Sequence, residues 1–182
     1  MPFLPYKSLP NLLTLGRLVL VPVIIAMISA QRWKEACIIL ILAGVSDAVD
    51  GWLAKTFDLR TELGAYLDPV ADKALLVSIY VALAIDGVVP VTLTIIIVAR
   101  DLMIIGAVII SWLLDKPLEI RPLLISKLNT AAQIGFAALV LGMKAFQIEP
   151  GTGFSVAIYG VAALTLASLV AYLATWARHM SL

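Results

Sequence analysis

The chain has 182 residues, of which 62% are hydrophobic and 14% charged, and its formal net charge is +1. A soluble domain is typically about half apolar or less, so this composition indicates a protein that lies in a membrane. The near-neutral charge argues against nucleic-acid binding, which needs a surplus of basic residues. Cys37 is the one cysteine, so no disulfide forms within the chain.

Six apolar segments have the length of about 20 residues that a membrane-spanning helix needs. They run approximately from Leu12 to Ala30, Glu35 to Lys55, Gly64 to Ile85, Pro90 to Leu114, Ile125 to Phe146 and Ser155 to Trp176. The first is too long for a signal-peptide core, so we expect an uncleaved transmembrane helix. Because no repeat or linker interrupts the pattern, residues 1–182 are predicted to form one all-α polytopic membrane domain.

Lysine and arginine are distributed unequally between the two sides that six spans define. One side receives six of these residues and the other receives three, the larger set being Lys7, Lys55, Arg60, Lys116, Arg121 and Arg178 and the smaller Arg32, Lys34 and Lys144. Cytoplasmic loops carry the excess of positive residues. Both termini and the second and fourth loops are therefore predicted to be cytoplasmic.

Ionisable residues interrupt the apolar segments, and each costs about 2.5–3.5 kcal/mol at the centre of a spanning helix. Arg100 and Asp101 fit a structural ion pair as well as they fit a functional role. The four aspartates have too few cations near them, and buried acids without cations indicate protonation or a bound metal. The full set is Arg17, Asp47, Asp50, Asp68, Asp72, Lys73, Arg100, Asp101 and Lys127.

Helical spacing groups the four aspartates into two pairs. Asp47 and Asp50 are three positions apart, and Asp68 and Asp72 are four apart, so each pair shares one face of its helix. The short polar loop between these helices predicts antiparallel neighbours with facing carboxylates. Oxygen ligands suit Mg²⁺ or Mn²⁺. Four carboxylates suffice for two metals, which is the arrangement that clamps the oxygens in displacement at phosphorus.

The stretch from Asp47 to Asp72, DAVDGWLAKTFDLRTELGAYLDPVAD, resembles the signature of the CDP-alcohol phosphotransferase family. That signature is Asp-x-x-Asp-Gly-x-x-Ala-Arg, eight residues, then Gly-x-x-x-Asp-x-x-x-Asp. Lys55 stands at the family's arginine and keeps its charge without its bidentate geometry. The matching positions are Asp47, Asp50, Gly51, Ala54, Gly64, Asp68 and Asp72.

The resemblance implies an activity and a site. The four aspartates would hold two metal ions, and Asp72 would be the base that deprotonates an acceptor hydroxyl. That hydroxyl would attack CDP-diacylglycerol and release CMP. The resemblance also implies six transmembrane helices around a polar cavity that faces the cytoplasm, and a homodimer.

A second set of positions is implied to bind the CDP-lipid. Asn11, Thr14 and Arg17 match the family's first-helix pattern Asn-x-x-Thr-x-x-Arg. Asn11 and Thr14 fit equally well as helix caps at the membrane edge. The glycines of the signature would let a phosphate approach the backbone, although close helix packing explains them too. The implied CDP-lipid residues are Asn11, Thr14, Arg17, Gly51, Ala54, Lys55 and Gly64.

Two subfamilies compete over the acceptor. The segment from Ser126 to Gln133, SKLNTAAQ, and the pair Arg100-Asp101 resemble the eukaryotic-type cardiolipin synthases, which take phosphatidylglycerol. Phosphatidylglycerophosphate synthases take glycerol 3-phosphate and carry Lys-x-Lys-Thr-x-x-Gln and Arg-Glu. Asn129 in place of the second lysine lowers the positive charge, which suits a phosphodiester better than a dianion. We therefore predict cardiolipin synthesis, with Arg100, Lys127 and Asn129 at the acceptor.

A third class, an ion- or proton-coupled transporter, would also hold acids inside the membrane. It predicts inverted repeats or broken helices, and the sequence shows neither pattern. No Arg- and Ser-rich, acid-poor presequence precedes the first apolar segment, which favours a bacterial inner membrane over a mitochondrial one. The predicted enzyme thus has its active site on the cytoplasmic side of that membrane.

Overall fold

A computed structural model describes residues 9–56, 62–114 and 124–180, with side chains for residues 15–46, 49, 71–111, 113–114 and 124–180. The described residues form six α-helices and no strand. The predicted all-α class is confirmed, and each helix begins and ends within four residues of its predicted bounds. The helices are α1 (Leu9–Ser29), α2 (Trp33–Thr56), α3 (Glu62–Ile85), α4 (Val91–Leu113), α5 (Leu124–Ala145) and α6 (Thr152–Met180).

Among the described residues, three helices are long and apolar enough to cross a membrane, over Val91–Ser111, Leu124–Ala145 and Thr152–Met180. Helix α1 adds the shorter apolar stretch Leu15–Ser29. Large apolar side chains such as Val19, Leu102 and Val170 remain more than half exposed on the outer faces. Extended apolar surface of this kind requires a lipid environment. The chain is an integral membrane protein, and six spans remain a prediction.

The helices form a ring in the order α1, α2, α5, α6, α4, α3, and α3 also contacts α5 across the middle. Two four-helix groups result, which share α3 and α5. The Asp72 group comprises α1, α2, α3 and α5, and the Arg100 group comprises α3, α4, α5 and α6. Among the described residues α2 and α3 make no close backbone contact, because α1 and α5 lie between them. The expectation that they pack as direct neighbours is not met there.

Side chains of the Asp72 group provide most of the core. Ile24, Ile79 and Leu141 are fully buried, and they come from α1, α3 and α5. Tyr80 of α3 stacks on Phe136 of α5 with ring centroids 6.5 Å apart. The Tyr80 hydroxyl also donates a 2.9 Å hydrogen bond to the Gln133 carbonyl. This contact fixes α3 against α5, the two helices on which both groups depend.

The three connections α1–α2, α3–α4 and α5–α6 are short, and the same backbone motif ends the preceding helix in each. Each contains one residue in the left-handed region, namely Gln31 at φ 55°, Gly87 at φ 67° and Gln147 at φ 56°. The next amide then donates back to the helix, as from Val88 to the Leu83 carbonyl at 2.8 Å. This geometry satisfies the last carbonyls of a helix. It reverses the chain within a few residues and makes the joined helices antiparallel.

Candidate active site

Helices α1, α2, α3 and α5 enclose a cavity of about 170 Å³, here called the Asp72 cavity. Arg17 of α1 and Asp72 of α3 lie in its wall and form an ion pair. The arginine side chain is 4% exposed and the carboxylate 45% exposed. Thr130 adds a hydroxyl from α5, and the rest of the lining is mostly apolar. The arrangement presents one accessible carboxylate beside a buried cation.

The ion pair corrects the charge count made from the sequence. That count found too few cations near the four aspartates, and it did not include Arg17 as the partner of Asp72. Arg17 and Asp72 are 55 positions apart, so only the packing of α1 against α3 brings them together. The structure therefore joins a residue predicted to bind the CDP-lipid and the residue predicted to act as base.

The other three aspartates are placed by their helices alone. Asp47 and Asp50 belong to α2, and Asp68 lies one helical turn before Asp72 on α3. Their side chains lie outside the described residues, and among the described side chains no group of three potential metal ligands occurs. The predicted metal cage therefore stays a prediction. The same holds for the predicted CDP-lipid residues whose side chains are not described, Asn11, Thr14, Gly51, Ala54, Lys55 and Gly64.

A second polar cluster lies in the Arg100 group. Arg100, 3% exposed, donates from Nη1 to Asp101 Oδ1 at 2.6 Å. Its Nη2 donates to Ser168 Oγ at 2.8 Å and also to Ser126. Lys73 Nζ donates to the same Asp101 oxygen at 2.9 Å. The cluster thus joins all four helices of the group, and it pairs buried charges of opposite sign, as a membrane interior requires.

The sequence left two interpretations open for Arg100 and Asp101, a structural ion pair and a functional role. The predicted structural ion pair is present, and it includes Lys73, to which the sequence assigned no partner. The predicted contact of Arg100 with the acceptor is a separate question. Arg100 is not part of the wall of the Asp72 cavity. Its acceptor role stays a prediction.

A third polar cluster holds α5 against α6. Thr165 Oγ1 lies 2.8 Å from Asn129 Oδ1 and accepts a 3.2 Å hydrogen bond from Gln133 Nε2. All three side chains are fully buried. Asn129, predicted to contact the acceptor, thus lies between α5 and α6 and not in the Asp72 cavity. Lys127 is exposed on α5, and the structure does not bring it into that cavity either.

Sequence reasoning missed Thr130 in the cavity wall and the partners Ser126, Ser168 and Thr165. Hydroxyl residues in a membrane helix carry no strong signal, because they also bond to their own helix, as Thr165 does with the Val161 carbonyl at 2.8 Å. On α6, the residues around Thr165 and Ser168 are mostly apolar and give no indication of a polar partner. A search for small polar residues on the faces opposite Arg100 and Gln133 would have found them.

Comparison with known proteins identifies the class. Residues 7–177 match the CDP-alcohol phosphatidyltransferase family. That match covers nearly the whole chain, including α1 to α5 and the greater part of α6. The chain belongs to this family, as the aspartate spacing indicated.

Three relatives illustrate the range within the family. The chain is 34% identical to a cardiolipin synthase (CMP-forming)/mitochondrial hydrolase fusion protein of Schizosaccharomyces pombe, over 91% of this chain and 30% of that protein. It is 32% identical to the human cardiolipin synthase (CMP-forming), over 91% of this chain and 60% of that protein. It is also 32% identical to the chloroplastic CDP-diacylglycerol–glycerol-3-phosphate 3-phosphatidyltransferase 1 of Oryza sativa subsp. japonica, over 92% of this chain and 56% of that protein. The chain spans 30% to 60% of the length of these relatives.

Proposed function

We propose that this protein transfers the phosphatidyl group of CDP-diacylglycerol to phosphatidylglycerol, which gives cardiolipin and CMP. The observation that carries the proposal is the position of Asp72, half exposed in a cavity between four helices and paired with Arg17. Asp72 is the last of four aspartates whose spacing resembles the family signature. The names of the Schizosaccharomyces pombe and human relatives, which include cardiolipin synthase (CMP-forming), support cardiolipin and CMP as the products.

The chemistry follows from an accessible carboxylate beside a cation. Asp72 takes the proton of the acceptor hydroxyl, whose oxygen forms a bond to the phosphatidyl phosphorus. The pyrophosphate P–O bond breaks, and CMP leaves with the electron pair. Arg17 stands where it can bind a phosphate oxygen of the CDP-lipid and hold the phosphorus close to the acceptor. The burial of Arg17 fixes its position before the substrate arrives.

The predicted donor set fits a divalent metal. All four candidate ligands, Asp47, Asp50, Asp68 and Asp72, are carboxylates, and such hard oxygen donors suit Mg²⁺ or Mn²⁺ better than zinc. When bound there, either ion would stabilise the negative charge that develops on the phosphate oxygens. Metal dependence is part of the proposal, as is the number of two ions.

The side of the membrane is also part of the proposal. The α2–α3 connection, beside which the aspartates lie, belongs to the side with the larger number of lysines and arginines. Positive residues concentrate on the cytoplasmic side, which supports a cytoplasmic active site. The bacterial inner membrane and the homodimer stay predictions.

A second candidate is the transfer to glycerol 3-phosphate. The rice relative, named for this acceptor, is as similar in sequence as the human cardiolipin synthase, at 32% identity. Relatives of equal identity thus carry both names, so sequence identity does not choose between the two acceptors. The two candidates share the Asp72 cavity and differ in whether the acceptor brings acyl chains.

The test is CMP release by the purified protein in lipid–detergent micelles. It would receive CDP-diacylglycerol and Mg²⁺ or Mn²⁺, with phosphatidylglycerol in one arm and glycerol 3-phosphate in the other. We expect CMP and cardiolipin in the first arm. Release with glycerol 3-phosphate alone would establish the second candidate, and no release in either arm would refute both.

A further inference from the structure

A second cavity, of about 500 Å³, lies along the seam between α3 and α4, and it is here called the α3–α4 cleft. Its apolar wall includes Val77 of α3 and Val98 and Ile105 of α4. Lys73 and Asp101 belong to the same wall, together with Arg100. The cleft therefore combines a long apolar surface with a charged cluster, as an amphiphilic ligand would require.

The charged cluster has unused hydrogen-bonding capacity. Asp101 Oδ2 and Arg100 Nε are buried and have no hydrogen-bond partner among the described residues. Lys73 is 29% exposed, and one of its three N–H donors bonds to Asp101. A buried polar atom without a partner is costly, so such atoms indicate an absent ligand or water. The wall offers an acceptor and donors to a polar group that enters the cleft.

The net charge of the cluster indicates the kind of ligand. Two cations, Lys73 and Arg100, share one carboxylate, that of Asp101. The remainder is a single positive charge, which matches the single negative charge of a phosphodiester. A phosphate dianion would leave an uncompensated charge in a low-dielectric setting.

Lys73 also connects the cleft to the site of the proposed reaction. It follows Asp72 on α3 and belongs to the walls of both the α3–α4 cleft and the Asp72 cavity. A reaction between two lipids requires two apolar binding sites for their acyl chains, and these sites must meet where the headgroups react. The two cavities meet at Lys73, one residue from the proposed base.

We propose that the α3–α4 cleft binds the acceptor of the proposed function as a lipid, a phospholipid with one phosphodiester and a hydroxylated headgroup. Lys73 and Arg100 bind the phosphodiester, Asp101 Oδ2 accepts from a headgroup hydroxyl, and acyl chains lie against Val77 and Val98. This inference rests on the proposed function and selects phosphatidylglycerol over glycerol 3-phosphate, which has no acyl chain to place there. It replaces Lys127 and Asn129 with Lys73 and Asp101 as acceptor residues.

The test compares two tryptophan substitutions at the same level of α4. Ile105 lines the cleft and is 48% exposed, whereas Met103 is not part of its wall and is 50% exposed. Ile105→Trp places a larger side chain in the cleft, and we expect its KM for phosphatidylglycerol to rise about tenfold or more, equivalent to about 1.4 kcal/mol. The KM for CDP-diacylglycerol should stay unchanged. Met103→Trp should match the unaltered protein in both constants.

A binding measurement gives a readout that does not need turnover. In an Asp72→Asn background, retention of phosphatidylglycerol by the purified protein is compared with and without Ile105→Trp. We expect Ile105→Trp to lower the amount of bound phosphatidylglycerol and Met103→Trp to leave it unchanged. If Ile105→Trp does not fold, Ile105→Phe carries the same comparison with an expected KM increase of about threefold.

Two results would overturn the inference. In one, Ile105→Trp and Met103→Trp show the same KM for phosphatidylglycerol and the same retention, and the cleft is then not the acceptor site. In the other, Ile105→Trp changes the oligomeric state, and the cleft is then a contact between copies, or it raises both KM values together, and the substitution then disturbs the whole site and not acceptor binding. Cardiolipin and CMP still form in both cases, so the proposed function stands. Absence of CMP release from the unaltered protein would instead refute the proposed function.

Discussion

The guanidinium of Arg17 on α1 forms an ion pair with the carboxylate of Asp72 on α3. The packing of the two helices buries the arginine almost completely and leaves the carboxylate half exposed toward the cavity. A buried charge is tolerated in a membrane when it meets a partner of opposite sign. The pair therefore stabilises the helix contact and also sets the position of the proposed base.

Replacement of Asp72 by asparagine should remove turnover from a protein that still folds, although its melting temperature should fall because the buried Arg17 loses the Asp72 carboxylate. The amide has nearly the shape of the carboxylate but cannot take a proton, and loss of a general base typically costs about 10²–10⁴-fold in rate. CMP release and thermal unfolding are measured side by side. Asp86→Asn, at an exposed position in the α3–α4 connection, is the matched control and should keep full activity. Substantial turnover by Asp72→Asn would contradict the assignment of the base.

Arg17→Ala should weaken both stability and the use of the CDP-lipid. Removal of one partner of a buried pair leaves an uncompensated charge and typically costs about 3–5 kcal/mol, and the half-exposed Asp72 lowers that cost. The KM for CDP-diacylglycerol should rise as well. Arg32→Ala is the control, because the Arg32–Glu35 pair is exposed at both ends and such pairs contribute little. Equal effects of the two substitutions on KM would argue against a role for Arg17 at the phosphates.

Chelation of divalent metal should abolish CMP release. With EDTA we expect activity to fall to background, and added Mg²⁺ or Mn²⁺ should restore it, whereas Zn²⁺ should not, because the predicted ligands are all carboxylates. Asp47→Asn and Asp50→Asn should raise the metal concentration needed for half-maximal activity. Full activity after exhaustive chelation would contradict the predicted metal site.

Thr165→Val should destabilise the contact between α5 and α6. Valine has the same shape, but it leaves Asn129 Oδ1 and Gln133 Nε2 without their hydroxyl partner, and buried atoms of this kind cost about 1–3 kcal/mol. The free energy of unfolding in detergent measures the effect. Thr175→Val is the control on the same helix, since the Thr175 hydroxyl is exposed and bonds only to the Ala171 carbonyl. A loss of equal size at both positions would show that the buried cluster is not the cause.

Gly87 and Gln147 follow α3 and α5 in the left-handed conformation, so removal of glycine at the first position and its introduction at the second should change the melting temperature in opposite directions. Gly87→Ala should lower the melting temperature, because an L-residue in that conformation costs about 1 kcal/mol while no atom lies close enough to clash. Gln147→Gly should raise the melting temperature for the same reason. Circular dichroism in detergent follows both. A rise with Gly87→Ala would contradict the role assigned to backbone conformation.

Much of the fold could be predicted from the sequence, because each spanning helix is a local property. A run of about 20 apolar residues and the turn residues beside it define one helix without reference to any other. The positions of α1 to α6 followed from this. The aspartate spacing is read directly from the chain, and it indicated the family that residues 7–177 match. The direct packing of α2 on α3 was expected from the short loop, and the described residues do not show it. Loop length fixes which helices are consecutive, and the packing of all the helices decides which ones touch.

The sequence by itself determined that the chain lies in a membrane, where its helices fall and which four aspartates share the family's spacing. Only the tertiary structure decided the partners of the buried charges, because an ion pair depends on which helix faces are packed together. Arg17 thus met Asp72, and Lys73 and Arg100 met Asp101. The same packing placed Asn129 against α6 and opened the α3–α4 cleft beside Lys73. The proposed acceptor site consequently changed from Lys127 and Asn129 of the α5 motif to the α3–α4 cleft, which two helices form together.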